Sequence, residues 1–318
     1  MRIGITLVIA GWVAAVSSGD DHVGLAWRTT LSPDGESLVY VAERRVSGVS
    51  EYTLTLMEQL QEGYAGVTYS LTPRYTHIVE APSGDAIAYF AHDSALHSPL
   101  CVYGQTRRWS HPYPAVSLAT RAQGTVIQWS RDGRFVRCRI SDSRGGRPLA
   151  WRVGVAAGSL VRKAAAADAK WVRRGTAPSD LPSFMTQRQP AISREMPIVW
   201  GHDSKAVYVA DEEGVWRVTL GEPFMPVWHK VCAASNIQAL AMSPSGNTLV
   251  VESGVEEERE VHELTLSADD VEVRHVISGW GVTFADGEDM YFFANYKGYY
   301  VVRPGEKPRE IRWAARRR

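Results

Sequence analysis

Residues 32–41 read Ser-Pro-Asp-Gly-Glu-Ser-Leu-Val-Tyr-Val, a tight turn that runs straight into a strand. Ser, Pro and Asp open such a turn, and Gly accepts a positive φ because it has no Cβ to clash. The pattern of a turn followed by a short β-rich run recurs five more times. The six turns lie at residues 32–35, 82–85, 130–133, 202–204, 243–246 and 285–287.

The spacing of these turns matches the period of a β-propeller blade. Taken at positions 34, 84, 132, 203, 245 and 286, the steps are 50, 48, 71, 42 and 41 residues. A four-stranded blade needs roughly 40–50 residues. The long step contains Pro178, Pro182 and Pro190 among polar residues, which indicates an inserted loop at about 165–195. The sequence predicts an all-β fold, a single β-propeller of about six four-stranded blades over residues 20–318.

The last repeat shows the four strands of a blade most clearly. Its strand-like runs are Gly281–Phe284, Met290–Phe293, Tyr299–Val302 and Arg309–Trp313. Large apolar and polar residues alternate in these runs, as expected for sheets packed face to face. The one helix-prone stretch surrounds Ala164–Ala167 and is short.

The recurring pattern resembles the repeat of TolB-like (WD40-like) six-bladed β-propellers. In that repeat, an apolar residue is followed by Ser-Pro-Asp-Gly and then by a strand such as Leu-Val-Tyr-Val. The first copy is nearly ideal, those at 129–133 and 242–246 depart by a residue or two, and those at 200–204 and 284–287 are degenerate. The resemblance implies a propeller over the whole mature chain. It leaves function open, because such repeats serve scaffolds, receptors and enzyme-capping domains. We expect no separate N-terminal α/β domain of the kind that this family carries.

The N-terminus has the pattern of a secretory signal peptide over residues 1–19. Met1-Arg2 is followed by an apolar run of 14 residues, Ile3–Val16, and then by small residues before Asp20. This run is too short to span a hydrocarbon core of ~30 Å. Cleavage after Ser17, with Ala15 as the other small residue, fits best, and Ser18 or Gly19 would also serve. We expect a periplasmic or secreted protein with no membrane segment after the signal is removed.

Composition indicates a soluble globular protein, with 45% hydrophobic and 22% charged residues. Lys and Arg total 35 and so do Asp and Glu, which predicts no general affinity for nucleic acid. Cys101, Cys138 and Cys232 lie in apolar runs, which favours buried free thiols, with one disulfide as the alternative. They form no CxxC or Cys/His zinc spacing.

Ligands of propellers bind at the central channel or at the rims. If the strand before each turn is innermost, its side chains line the central channel. The candidates on these strands are Trp27, Arg28, His77, Gln128, Trp200, Gln238 and Trp280. Arg beside Trp at a channel mouth suits a peptide carboxylate or a sugar, through bidentate hydrogen bonds and stacking. The alternative is that the Trp residues pack between blades and Arg28 is solvated.

Three other clusters are better explained as surface features. His92, Asp93, His97 and His111 match no metal-binding spacing. The acidic run at 256–260 is expected to be a solvated loop, and Arg316–Arg318 a basic tail. We therefore expect no metal and no cofactor.

No catalytic signature is present, since the chain has no Gly-x-Ser-x-Gly elbow and no phosphate-binding Gly-rich motif. The hypothesis is an exported, non-catalytic propeller that acts as a protein-binding or scaffold module, with an extracytoplasmic protein or glycan as partner. The alternative is a propeller-fold polysaccharide lyase or glycoside hydrolase with its site at the channel mouth. A small-molecule sensor is a third class, and it would require a closed binding pocket.

Overall fold

The structure is a computed structural model that describes most of the chain between residues 26 and 311. The described residues are 26–46, 49–58, 67–92, 100–104, 108–110, 122–142, 149–154, 159–160, 168–173, 175–220, 225–267 and 271–311. The predicted signal peptide at 1–19 and the basic tail at 316–318 lie outside them.

The described chain forms six antiparallel sheets of four strands each, so the predicted all-β propeller of six four-stranded blades is confirmed. Sheets 1 and 2 contain β1 (Ala26–Leu31), β2 (Ser37–Val46), β3 (Val49–Glu58), β4 (Val67–Ser70), β5 (Arg74–Glu80), β6 (Ala86–His92), β7 (Leu100–Gly104) and β8 (Arg108–Ser110). Sheets 3 and 4 contain β9 (Ala122–Trp129), β10 (Phe135–Asp142), β11 (Leu149–Gly154), β12 (Ser159–Leu160), β13 (Ile198–Trp200), β14 (Ala206–Asp211), β15 (Gly214–Thr219) and β16 (Val227–Cys232). Sheets 5 and 6 contain β17 (Ile237–Met242), β18 (Thr248–Ser253), β19 (Glu260–Leu266), β20 (Val271–Ser278), β21 (Trp280–Phe284), β22 (Tyr291–Asn295), β23 (Gly298–Val302) and β24 (Arg309–Glu310).

Each of the six turns joins the first and second strands of its sheet. In sheet 1 the Gly35 amide donates to the Ser32 carbonyl at 2.9 Å, and Gly35 has a φ of 79°. Asp34 Oδ1 accepts from Ser32 Oγ at 2.5 Å and from the Glu36 amide at 3.0 Å. The hydrogen bond from Ser32 is the main reason that the pKa of Asp34 is lowered. Asp132 repeats this arrangement in sheet 3, so one local chemistry shapes both turns.

The first strand of each sheet is innermost, because the first strands make most of the contacts between sheets. β1 contacts β13, β13 contacts β17, β17 contacts β21, and β5 contacts β9. Two buried Trp side chains span such junctions. Trp129 Nε1 donates to the Val79 carbonyl at 3.0 Å, and Trp200 Nε1 donates to the Thr30 carbonyl at 3.0 Å. Sheet 4 therefore packs beside sheet 1, although sheet 3 precedes it in the chain.

The segment at 168–197, called the crossing segment below, connects sheet 3 to sheet 4. It contains one short helix, α1 (Ser183–Thr186). Trp171 forms an isolated β-bridge with Ser130 of sheet 3, and Thr176 forms one with Glu80 of sheet 2. The segment thus runs from sheet 3 across sheet 2, and it ends beside sheet 1 where β13 begins.

The largest hydrophobic core lies among sheets 1, 2 and 4 and includes Val39, Tyr89 and Val207. Phe184 of α1 is buried in this core, with its ring centroid 5.5 Å from that of Tyr75 in an edge-to-face arrangement. Smaller hydrophobic cores lie between sheets 2 and 3, between sheets 4 and 5, and between sheets 5 and 6. Within the described ranges, no helix has the length and apolar character needed to cross a membrane.

Candidate functional site

Arg28, His77 and Gly281 lie in the innermost strands, four or five residues before the first residue of each turn. All three have a positive φ, of 47°, 52° and 73°. The strand register shifts at each point, between residues 27 and 30, 76 and 79, and 280 and 283. Such bulges bend a strand and re-aim its side chains. A bulge therefore recurs at the positions where the sequence placed candidate ligand-binding residues.

In sheet 1 the predicted pair Trp27 and Arg28 contacts the crossing segment. The Arg194 guanidinium lies 3.4 Å from the centroid of the Trp27 ring, which is a cation–π contact. Arg28 Nη2 donates to Glu195 Oε2 at 3.2 Å. Trp27 Nε1 donates to Glu43 Oε2 at 2.9 Å, and Glu43 is buried. The groups expected to hold a ligand thus already have partners within the chain.

Gln128 of sheet 3 is also engaged by the crossing segment. Its Nε2 donates to the Arg173 carbonyl at 3.2 Å, and its Oε1 accepts from Arg137 Nε at 2.7 Å. His77 of sheet 2 instead packs its ring edge against Phe90, with centroids 5.9 Å apart. Gln128 therefore fastens the segment to the sheet, whereas His77 belongs to the packing of its own sheet.

Trp200 is only 3% exposed and is held between sheets 4 and 1 by its hydrogen bond to Thr30. This placement leaves its ring no open face for a ligand. Gln238 lies at the bulge of β17, where its Nε2 donates to the Asn236 carbonyl at 3.2 Å. Among the predicted residues, only the sequence neighbours Trp27 and Arg28 share a sheet, and each of the others lies in a different one.

Trp280 belongs to an aromatic surface at one end of sheet 6, formed with Tyr296 and Tyr299. Trp280 is half-buried, and its ring centroid lies 4.8 Å from that of Tyr296 in an edge-on arrangement. Tyr296 is 68% exposed and Tyr299 is 59% exposed. The turn between β22 and β23 holds Tyr296 in place, because Asn295 Oδ1 accepts from the Lys297 and Gly298 amides. This surface presents three large rings at one end of sheet 6.

Sequence reasoning missed a cluster on the outer strands of sheet 5. His262 and His275 are directly opposite each other on β19 and β20, with ring centroids 5.3 Å apart. Glu260 Oε2 lies 3.3 Å from His262 Nε2, and its Oε1 lies 3.8 Å from His275 Nε2. Burial, and secondly His275, lowers the pKa of His262, while Glu260 opposes this shift. Only the strand register reveals this trio, and it lies away from the innermost strands that a catalytic channel site would use.

The remaining sequence candidates form no site in the described structure. Residues 93–97 and 111 and the side chain of His92 lie outside the described part of the chain. Glu256–Glu258 forms a 3-10 helix, and the next residue, Arg259, donates from Nη1 to buried Glu252 Oε1 at 2.9 Å. Among the described residues, no group of three or more His, Cys, Asp or Glu side chains is arranged to hold a metal.

Cys101, Cys138 and Cys232 are free thiols. Cys101 and Cys138 are buried, whereas Cys232 is partly exposed. Burial raises the pKa of Cys138 to about 12 and also raises the pKa of Cys101. The thiolate is the reactive form of cysteine, so these two thiols are inert side chains of the core.

No protein-family model and no curated protein matches the chain. Similar solved structures include TolB from Acinetobacter baumannii, at 12% identity and a TM-score of 0.29, which covers 94% of this chain and 65% of that one. A functionally unknown protein from Desulfotomaculum acetoxidans aligns at 12% identity and a TM-score of 0.29, covering 89% and 84% of the two chains. The β-propeller domain of the trilobed protease from Pyrococcus furiosus aligns at 11% identity and a TM-score of 0.25, covering 90% and 82%. The chain thus spans less than two thirds of the TolB structure, and scores this low carry no argument about function.

Proposed function

We propose that this β-propeller is an exported, non-catalytic binding module that holds a protein partner on the aromatic surface of sheet 6. The observation that supports this proposal is the pair of exposed rings, Tyr296 and Tyr299, beside half-buried Trp280. Tyr and Trp dominate the binding energy of protein interfaces, because they bury a large area at a low cost in conformational entropy.

The contacts at sheet 1 favour this surface over the channel residues named from the sequence. Arg194 and Glu195 already engage Trp27 and Arg28, so a ligand there would have to displace the crossing segment. The surface on sheet 6 needs no such displacement, because Tyr296 and Tyr299 are open to solvent.

The test is site-specific photo-crosslinking with a photoreactive amino acid at position 299 in the native host. We expect one dominant adduct with an extracytoplasmic protein, and we expect Tyr296→Ala to reduce it strongly. Val273→Ser removes an exposed side chain from sheet 5 and serves as the matched control. Equal adduct yield from Tyr296→Ala and from the control, or no adduct at all, would contradict the proposal.

Export is tested separately by the N-terminus of the mature protein. If residues 1–19 are a signal peptide, mass spectrometry of the extracytoplasmic protein will show a chain that starts between Ser18 and Asp20. Recovery of intact Met1 from the cytoplasmic fraction alone would refute export without bearing on the aromatic surface.

A further inference from the structure

The outermost strand of sheet 5, β20, is the longest edge strand in the described chain. It has eight residues, whereas the outermost strands of the other five sheets have two to six. Val271, Val273, Val276 and Ile277 supply β-branched side chains, which favour the extended conformation. A long edge strand attracts further strands, because its outward-facing N–H and C=O groups can pair with another chain.

The regular part of β20 is Val271–His275, called the β20 edge below. These residues pair with β19 in unbroken register, and the register then shifts at Val276. Glu272 and Val273 are both exposed, and Val273 is 51% exposed. Successive residues of a strand point to opposite faces of the sheet. The β20 edge is therefore open to solvent on both faces of sheet 5.

The β20 edge is self-complementary in charge, because an acid, Glu272, and a base, Arg274, flank Val273. Consider two such strands paired antiparallel about a two-fold axis at Val273. Glu272 of each copy then lies directly opposite Arg274 of the other, and the two side chains share a face of the sheet. Opposite charges at directly opposite positions stabilise a sheet, whereas like charges destabilise it.

The existing contacts of these two charges leave room for such pairs. Among the described residues, Glu272 takes part in no ion pair. Arg274 Nη2 donates to the Glu306 carbonyl at 2.6 Å and lies 3.6 Å from Glu263 Oε2, and the side chain is 35% exposed. A guanidinium has five N–H donors, so Arg274 can take a second carboxylate while it keeps these contacts.

The next longest outermost strand in the described chain, β16, does not have this symmetry. It has six residues, and its polar charged side chains are His229 and Lys230, with no acid among them. Antiparallel pairing of two β16 strands would gain no ion pair, and Lys on an edge strand opposes pairing. Charge therefore favours self-pairing at β20 and opposes it at β16.

We propose that two copies of this protein associate through the β20 edge, antiparallel and about a two-fold axis at Val273. The pairing joins two four-stranded sheets into one sheet of eight strands. It closes at two copies, because each β20 edge is then covered. The interface is small, so the dimer is weak and forms at a protein concentration of about 0.1 mM.

The dimer uses sheet 5 and does not depend on the aromatic surface of sheet 6. Val273→Ser stays a valid control for that surface, because serine keeps a small neutral side chain at the two-fold axis and so permits the pairing.

Sedimentation velocity of the mature chain over a wide range of protein concentration tests the association. We expect a monomer–dimer equilibrium that weakens as salt is added, because its ion pairs are exposed. Glu272→Lys places like charges opposite each other at both ends of the pair, so it should raise the dissociation constant about tenfold or more. Val273→Lys should act similarly by placing two cations at the axis. The matched control Glu212→Lys makes the same charge change at an exposed turn of sheet 4 and should alter the dissociation constant by less than about twofold.

Disulfide formation with oxidised glutathione tests the register, in a Cys232→Ser background because Cys232 is a partly exposed thiol. Val273→Cys places the two new thiols directly opposite each other, with Cα atoms about 4.5–5.5 Å apart, which a disulfide can bridge. Glu272→Cys places them on a diagonal, about 7–8 Å apart, which a disulfide does not bridge. Val227→Cys, at an exposed position on β16, is the control on another edge.

The expected result is an efficient disulfide-linked dimer of Val273→Cys, with little from the other two cysteine variants. A monomer at every concentration would overturn the proposal, as would equal effects of Glu272→Lys and Glu212→Lys. Crosslinking of Glu272→Cys as efficient as that of Val273→Cys would also overturn it, because the axis would then not lie at Val273.

Discussion

Replacing Trp200 with Phe tests whether sheet 4 packs against sheet 1. Trp200 is 3% exposed, and its Nε1 donates to the Thr30 carbonyl across the junction at 3.0 Å. Phe keeps an aromatic ring at this position but has no donor. The substitution therefore removes the hydrogen bond between the two sheets and a modest part of the buried area.

The expected cost follows from these two losses. Trp to Phe removes about 40 Å² of buried surface, which corresponds to about 1 kcal/mol at 25 cal/mol per Å². Losing the hydrogen bond and leaving the carbonyl without its donor adds about 1–2 kcal/mol. The free energy of unfolding should thus fall by about 2–3 kcal/mol. Trp280→Phe, at a half-buried position, should cost about 0.5 kcal/mol.

Urea unfolding followed by circular dichroism measures this difference. With an m-value of about 3 kcal/mol/M, the midpoint of Trp200→Phe should fall by nearly 1 M. Trp129→Phe should show a similar loss, because Trp129 makes the same bond to Val79 at the junction of sheets 2 and 3. If Trp200→Phe costs no more than Trp280→Phe, the sheet 1–sheet 4 junction described above is wrong.

Three further changes address the core, the crossing segment and the histidine pair. Glu263→Ala should lower the free energy of unfolding by about 3–5 kcal/mol in urea titrations, because it removes a carboxylate that is 2% exposed and leaves the buried Tyr291 hydroxyl without its acceptor. Arg194→Ala should speed hydrogen exchange of the crossing segment near residue 194 by less than about tenfold, since an exposed cation–π contact to Trp27 contributes only about 0.5–1 kcal/mol. His262 has a lowered pKa in the folded state, so its contribution to stability is complete above the ordinary value near 6.5 and is lost as pH falls through the folded pKa. Thermal unfolding at pH 7.5 and pH 5.5 should accordingly show a smaller loss on acidification for His262→Gln than for the unaltered protein.

Matched exposed positions serve as controls for these changes. Glu272→Ala replaces an exposed carboxylate on β20, and His229→Gln replaces an exposed histidine on β16. A loss from Glu272→Ala as large as that from Glu263→Ala would show that burial is not the cause. If His262→Gln and His229→Gln lose the same thermal stability between pH 7.5 and pH 5.5, His262 is not the cause of the loss on acidification.

Several features of this protein followed from the sequence because they depend on neighbouring residues. A turn such as Ser32–Gly35 closes through its own side chains and a glycine with positive φ, so the six turns and the four-stranded sheets that contain them were predictable. The excess length between the third and fourth turns also indicated a segment outside the sheets. For the same reason the all-β propeller could be expected before any contact between sheets was known.

The tertiary structure decided which sheets pack together and which side chains meet. Trp129 and Trp200 occupy equivalent sequence positions, yet Trp129 joins consecutive sheets and Trp200 joins sheets 4 and 1. The contacts of Arg194 with Trp27 and of His262 with His275 likewise depend on crossing paths and strand register. Local propensity cannot specify such pairs, because the burial energy that selects them is shared among residues far apart in the chain.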